Sequence, residues 1–254
     1  MKIIIITQNE PFYLSNNLDY LFKILPDYVK VVGCIVNDAS PFGKKESFFN
    51  KIKKTYDVFG FSFFCFYSFR FIIRKINVFN NVDSVLKKHR ISKISLTKHI
   101  NHPQSLELIK KYKPDLLVSI LGNEIFKKEL INLAPKGCIN LHTALLPKYR
   151  GLMPSFWVMK NGEKYTGVSV FFVDEGIDSG PIILQQKIEI GNKTQQELIQ
   201  DTKKIGMELI SKAIDLIFNN NITLITNDDN KMTYYSFPTK DDVLEFKQLG
   251  KKFF

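Results

Sequence analysis

Three residues near the middle of the chain carry the side-chain types that acyl transfer to an amine requires. Asn140 and His142 stand two apart in Asn140-Leu141-His142, at the end of an apolar run. Asp178 lies in the Gly-rich turn Asp174-Glu175-Gly176-Ile177-Asp178-Ser179-Gly180. Residues two apart in an extended segment project to the same face, so Asn140 and His142 point together. An Asn amide is a neutral donor that holds an oxyanion without exchanging protons. A His shuttles a proton near neutral pH, and a carboxylate beside it orients the ring and accepts a proton from an attacking amine. The set suits attack of an amine on a carbonyl carbon. No elbow motif presents a Ser or Cys nucleophile, so direct transfer is expected in place of a covalent acyl-enzyme. Taken singly, each residue has an ordinary structural use: a His after a strand packs, and an Asp in a Gly-rich turn serves the turn.

The elements that must position them follow from periodicity. The run Lys2-Ile3-Ile4-Ile5-Ile6-Thr7 reads as a buried parallel strand. A helical pattern over 15–25 stops at Pro26, and a second apolar run covers 29–36. Further strands are expected at 115–120 and 138–141, with an amphipathic helix at 125–133, closed by Pro135, between them. This alternation predicts an α/β fold with a doubly wound, mostly parallel sheet and flanking helices. Ligands of such sheets lie beyond the carboxyl ends of the strands, where Asn140 and His142 fall. The turn after the first strand, Thr7-Gln8-Asn9-Glu10-Pro11-Phe12, contains no glycine, which argues against a dinucleotide enzyme, and no Walker-type loop is present.

We expect a catalytic domain over 1–218 and a short hairpin and tail over 219–254, the hairpin pairing 222–225 with 231–235. The clearest helix spans 194–218, opened by the capping-box pair Thr194 and Glu197 and carrying Leu198, Ile205, Leu209, Ala213 and Leu216 on one stripe. An aromatic helical insert occupies about 42–79. Its 59–76 stretch is interrupted by Arg70 and falls short of the ~20 apolar residues that span a bilayer. It reads either as a helix packed on the sheet or as a membrane-surface helix or dimer face with Arg70, Arg74 and Lys75 at headgroups; the first is the expectation.

The charge balance, 36 Lys+Arg against 25 Asp+Glu for a net +11, comes without a block of like charges. That favours an anionic small substrate over nucleic acid. Cys34, Cys65 and Cys138 are widely spaced and each sits in an apolar run, with no metal-ligand spacing. They read as buried, reduced thiols of a cytoplasmic protein. The opening apolar run is too short for a signal peptide.

The motifs in order are Asn140-Leu141-His142, Leu145-Leu146-Pro147-Lys148-Tyr149-Arg150-Gly151, Pro154, Trp157, Gly162, Thr166-Gly167-Val168-Ser169-Val170, Ile177-Asp178-Ser179-Gly180-Pro181 and Gln185. This series resembles the formyltransferase family that uses 10-formyltetrahydrofolate, densely from about 114 to 190. The resemblance implies that Asn140, His142 and Asp178 are the catalytic set, with no metal. It implies that Asn123, Glu124, Ile125 and Phe126, with Asp174, Glu175, Gly176 and Ile177, line a pterin pocket. Leu145, Leu146 and Pro147 would flank the formyl group. Two departures are Ala144, where relatives often carry Ser, and Phe171, where they often carry a polar residue. The segment Tyr235-Ser236-Phe237-Pro238-Thr239, with Asp241, Asp242 and Phe246, resembles the branch that modifies sugars. The implied activity is N-formylation of a nucleotide-linked amino-deoxy sugar for surface polysaccharide. Asp178 would take the amine proton while Asn140 and protonated His142 hold the oxyanion. The implied partners are folate and nucleotide sugar, no nucleic acid, and a second copy in a homodimer. Alternatives are formylation of methionyl-tRNA, for whose extra C-terminal barrel too few residues follow 218, or of another small amine. From a different class comes a folate-binding protein without turnover.

Overall fold

The computed structural model describes residues 1–37, 47–76, 81–122 and 124–254. An interior strand of its sheet is β1 (Lys2–Gln8), in which Ile3, Ile4, Ile5 and Ile6 are all 0% exposed. A strand with neighbours on both edges and helices on both faces has no polar side to present, which is why the run is continuously apolar. Ile3 and Ile5 join one core and Ile4 and Ile6 another, as the alternation of a strand requires.

Around β1 the sheet runs β3 (Lys93–Ile94), β2 (Lys30–Asn37), β1, β4 (Leu116–Ile120), β5 (Cys138–His142), β7 (Tyr165–Phe172), β8 (Ile182–Glu189). The first five are parallel, and β7 and β8 add antiparallel at the β5 edge. The chain moves outward through β2 and β3, then returns to the other side of β1 with β4 and β5. That reversal creates the crevice at strand ends where doubly wound sheets take ligands. The expected mostly parallel, doubly wound sheet is what the chain adopts.

One face carries α1 (Leu14–Ile24), α4 (Val82–Lys88) and α8 (Gln195–Phe218); the other carries α5 (Pro103–Lys110) and α6 (Lys128–Ile131). α8 begins with the predicted capping box: Thr194 Oγ1 accepts from the Glu197 amide, and the Glu197 carboxylate accepts from the Thr194 amide. The helix expected at 125–133 shrinks to the four residues of α6. Asn101 explains this: its amide donates to Ile125 O at 2.8 Å and its oxygen accepts from Lys127 N at 2.8 Å, holding the segment before α6 out of helical register.

The insert forms α2 (Phe48–Phe59) and α3 (Phe61–Ile76), broken by Gly60 at φ 83°. Residues 42–46 and 77–79 of the insert lie outside the described residues. Contrary to expectation, its aromatic face packs on the C-terminal segment: Phe63 meets Phe253 at 5.0 Å between ring centres, and Phe66 stacks on Phe254 at 3.9 Å. Arg70 and Arg74 face inward and not toward headgroups. Arg70 lies over the rings of Phe12, Tyr13, Phe66 and Tyr67 and donates to Tyr13 Oη at 3.3 Å and Gln196 Oε1 at 3.1 Å. Arg74 donates to Phe12 O at 2.9 Å. The opposite face of α3, with Phe61, Phe69, Ile72, Ile73 and Ile76, is exposed. No helix among the described residues is long and apolar enough to cross a membrane.

The hairpin expected at 222–235 does not form. Ile225 instead bridges to Ile182, and β9 (Tyr234–Tyr235) pairs in parallel with β6 (Arg150–Gly151). α9 (Lys240–Gln248) then delivers Val243 and Phe246 into an aromatic cluster with Phe156, Trp157 and Phe253. Residues 225–248 are thereby fastened along the site's own loops. Cys34 and Cys138 are buried as expected, and burial pushes the Cys34 thiol up to about 12; Cys65 is exposed on α3, against the expectation of three buried thiols.

Candidate functional site

A cleft of about 440 Å³ opens beyond the carboxyl ends of β1, β4 and β5. Asn140, His142 and Asp178 all line it, although Asp178 belongs to the loop between β7 and β8. The sequence-predicted trio is therefore brought together. Of the proposed pocket residues, Glu124, Ile125, Phe126, Asp174, Gly176 and Ile177 line the same cleft; Glu175, Leu145, Leu146 and Pro147 do not, and Asn123 lies outside the described residues.

Asn140 is in register with Ser119 of β4 and Phe171 of β7. Its Oδ1 is buried without a hydrogen-bond partner among the described residues. A buried amide oxygen left unpaired costs about 1–3 kcal/mol, so its placement in the cleft marks a group waiting for a donor.

His142 is 6% exposed. Its Nε2 lies 2.7 Å from Tyr149 O, a carbonyl that only accepts, so Nε2 carries a hydrogen. Its Nδ1 faces Asp178 Oδ2 at 3.5 Å. Nε2 is engaged by Tyr149, so Nδ1 is the edge that faces Asp178 and the cleft. Burial raises the Tyr149 phenol well above its usual range, which keeps it protonated as a donor to Glu163 Oε1 at 2.8 Å.

Asp178 sits at φ 50°, in the left-handed region, and its Oδ2 accepts from Gly151 N at 2.9 Å. Asp174 holds one end of the turn, accepting from Gly176 N at 3.0 Å and Ser179 Oγ at 2.5 Å. At the other end Gly180 passes so close to β7 that an added Cβ would stand 1.8 Å from Phe172 O, so no other residue fits there. Asn227 donates through Nδ2 to the carbonyls of Asp178 and Gly180, both at 2.9 Å.

The 145–147 segment lies behind the cleft. Ser169 and Gln185 pin it: Leu146 N donates to Ser169 Oγ at 3.1 Å, Ser169 Oγ donates to Ala144 O at 2.6 Å, and Gln185 Nε2 donates to Leu146 O at 2.8 Å. Leu146 packs with Phe171 and Ile182, and Leu145 lies against Gly167. These leucines fix the strand ends from behind, while Gly151, Leu152 and Met153 form the wall.

Sequence reasoning missed the far end of the cleft. Glu10 accepts from the amides of Phe12, Tyr13 and Leu14 at 2.8, 2.9 and 3.0 Å, and Lys203 of α8 reaches it at 3.4 Å. An acidic residue just before a helical pattern is a capping signal that would have found Glu10. Nothing local to Lys203 marks it, since it is one Lys of many on a helix. The Glu124 carboxylate is engaged by Asn37 Nδ2 at 2.8 Å and Ile100 N at 3.2 Å. Among the described residues no His, Cys, Asp and Glu gather in a group of three or more placed to hold a metal ion.

A family model described as Formyl transferase matches residues 73–214. The methionyl-tRNA formyltransferase of Alkaliphilus oremlandii is 42% identical over 134 residues, which is 52% of this chain and 43% of that relative. The chain spans about half the length of the curated relatives it matches. Among solved structures, the N-formyltransferase from Helicobacter canadensis, in complex with folinic acid and dTDP-3-aminofucose, aligns with a TM-score of 0.60 at 19% identity, covering 98% of this chain and 80% of that one. Phosphoribosylglycinamide formyltransferase from Anaplasma phagocytophilum aligns with a TM-score of 0.63 at 16% identity, covering 92% and 98%. At these identities the structural likeness is one of fold.

Proposed function

The chain belongs to the formyl transferase family, and on that footing we propose that it moves a formyl group from 10-formyltetrahydrofolate to the amine of a nucleotide-linked amino-deoxy sugar. The observation that carries the reading is the convergence of Asn140, His142 and Asp178 on one cleft at the strand ends. The cleft also suits the donor: Ile125, Phe126 and Ile177 give it apolar walls, and Asn140 Oδ1, without a partner among the described residues, gives it an open acceptor beside the acid and base.

The formyl-folate supplies an activated formyl carbon. This chain's residues do the rest. Asp178, with its orientation fixed by Gly151 N, accepts the proton that the attacking amine loses as it bonds to the formyl carbon. The bond from that carbon to the folate nitrogen then breaks, and the proton passes to that nitrogen as tetrahydrofolate leaves. The Asn140 amide binds the reacting groups, taking an amine hydrogen on Oδ1 and donating from Nδ2 to the oxygen that gains charge. His142, tied to Tyr149 O through Nε2, presents its Nδ1 edge to Asp178 and to the developing charge.

Support for a sugar acceptor comes from the 98% of this chain that shares its fold with an enzyme holding dTDP-3-aminofucose. A second reading, formylation of methionyl-tRNA, is favoured by the 42% identity to an enzyme of that name. A formyl-transfer assay with 10-formyltetrahydrofolate separates them, using dTDP-linked amino sugars and charged methionyl-tRNA as acceptors. Turnover with an amino sugar is expected; turnover with methionyl-tRNA alone would overturn the sugar reading.

A further inference from the structure

Asp178 is the one member of the trio that no strand holds, and it sits in a backbone conformation that an Asp adopts at a cost. Something must keep its carboxylate aimed at His142. Its carboxylate takes a hydrogen bond from Gly151 N; its backbone carbonyl takes one from Asn227, which is distant in sequence and outside the stretch where the family model matches.

Asn227 is 8% exposed and every arm of its amide is used. Nδ2 bridges the carbonyls of Asp178 and Gly180, so one NH2 group clamps the turn on both sides of Ser179. Oδ1 accepts from Arg150 Nη2 at 2.9 Å. Arg150 is itself 4% exposed and ion-paired through Nη1 to Asp229 at 2.8 Å. Because Oδ1 faces a guanidinium, which only donates, the amide cannot flip; Nδ2 must point at the turn. The next residue after Arg150 is Gly151, whose amide holds the Asp178 carboxylate. Backbone and carboxylate of Asp178 are thus gripped by one short segment and one buried amide. A charge-assisted bond at one end of such a chain strengthens the bond at the other.

We infer that Asn227 is a positioning residue for Asp178, and that the relay Arg150–Asn227–Asp178 sets the carboxylate's place opposite His142. The role rests on Asp178 acting in the proposed reaction. It gives residues 225–229 a part in the site although they line none of the cleft. Their bridge to β8 at Ile182 anchors the relay to the sheet.

The test combines Asn227→Leu, which keeps the branched shape and removes both donors, with Asn227→Asp, which keeps the Arg150 contact and replaces the donor by an oxygen. Each should lower kcat for formyl transfer by about 10- to 100-fold, the scale of a misplaced reacting group. KM for 10-formyltetrahydrofolate and the affinity for 5-formyltetrahydrofolate should stay within about threefold. In an Asp178→Asn background the Asn227 substitutions should add little, because their effect passes through Asp178. Full additivity there, or kcat within twofold of the unaltered protein, overturns the inference. Hydrogen exchange gives a readout independent of turnover: amides of 174–180 should exchange faster in either variant while those of β5 stay protected. Unchanged exchange across 174–180 also overturns it. A protein inactive with every acceptor would count against the proposed activity, and the exchange readout would still decide the positioning.

Discussion

Replacing Asn140 by Ala should slow the reaction steeply without weakening the fold. Oδ1 is buried with no partner among the described residues, and the side chain is only partly covered in the cleft. Removing it therefore breaks no side-chain hydrogen bond among the described residues and relieves an unpaired acceptor worth about 1–3 kcal/mol when fully buried. The deleted amide also forfeits some packing against the strand ends, about 1 kcal/mol for a partly buried group of that size. The two effects roughly cancel, so Asn140→Ala should lie within about 1 kcal/mol of the unaltered protein, on either side of it. Loss of an oxyanion donor lowers kcat by about 100- to 1000-fold. Stability near the original with activity nearly gone is the signature of a side chain kept for chemistry. Urea midpoints followed by circular dichroism measure the first quantity; single-turnover formyl transfer from 10-formyltetrahydrofolate measures the second. A stability loss above about 2 kcal/mol would mean the amide is held by the fold after all. A rate loss under tenfold would remove Asn140 from the reacting groups.

Other consequences are equally direct. Phe246 is 0% exposed and stacks at 4.9 Å on Phe156 and 4.6 Å on Phe253; Phe246→Ala should cost about 3–5 kcal/mol in urea unfolding, and a loss under 1 would show that α9 is not part of the cooperative unit. Gly180→Ala forces a Cβ against Phe172 O and should cost about 1–3 kcal/mol while displacing Asp178, read as lower kcat; an unaltered rate would show that the turn tolerates the shift. Hydrogen bonds from Lys23, Lys88 and His89 hold the Asp19 carboxyl well below the usual carboxylate range. A depressed folded value means that the stabilisation is present above the unfolded value of about 3.9 and fades as pH falls through the folded one. Asp19→Asn should therefore be less stable by about 1 kcal/mol at pH 7, with the gap to the unaltered protein closing below pH 4; a gap that stays constant down to pH 2 would refute the assignment.

What the sequence determined by itself is the layering and which side chains are candidates for chemistry. Four consecutive isoleucines suit only a strand covered on both faces, and the period of two makes Asn140 and His142 neighbours wherever the strand goes. The capping box at Thr194 and Glu197 is equally local, since both partners lie within one helical turn. Asp178 entered through its place in an ordered series of motifs and not through anything in the turn.

The tertiary structure decided everything that depends on which distant segment comes to lie beside which. The pattern over 222–235 is that of strands, and strands are what periodicity reports; it cannot say that Ile225 bridges Ile182 or that Tyr234 and Tyr235 pair with Arg150 and Gly151. The aromatic run of α3 specified a buried face, while Phe253 and Phe254 at the far end of the sequence supplied its partner. Leu145, Leu146 and Pro147 adjoin the site in sequence yet sit behind it, because Ser169 and Gln185 draw their backbone toward β7 and β8. Asn227 and Lys203 carry no local mark at all. Side-chain chemistry is a property of single residues and survives in the sequence; the aim of a carboxylate is set by hydrogen bonds between residues far apart in the chain, and those exist only once the chain has folded.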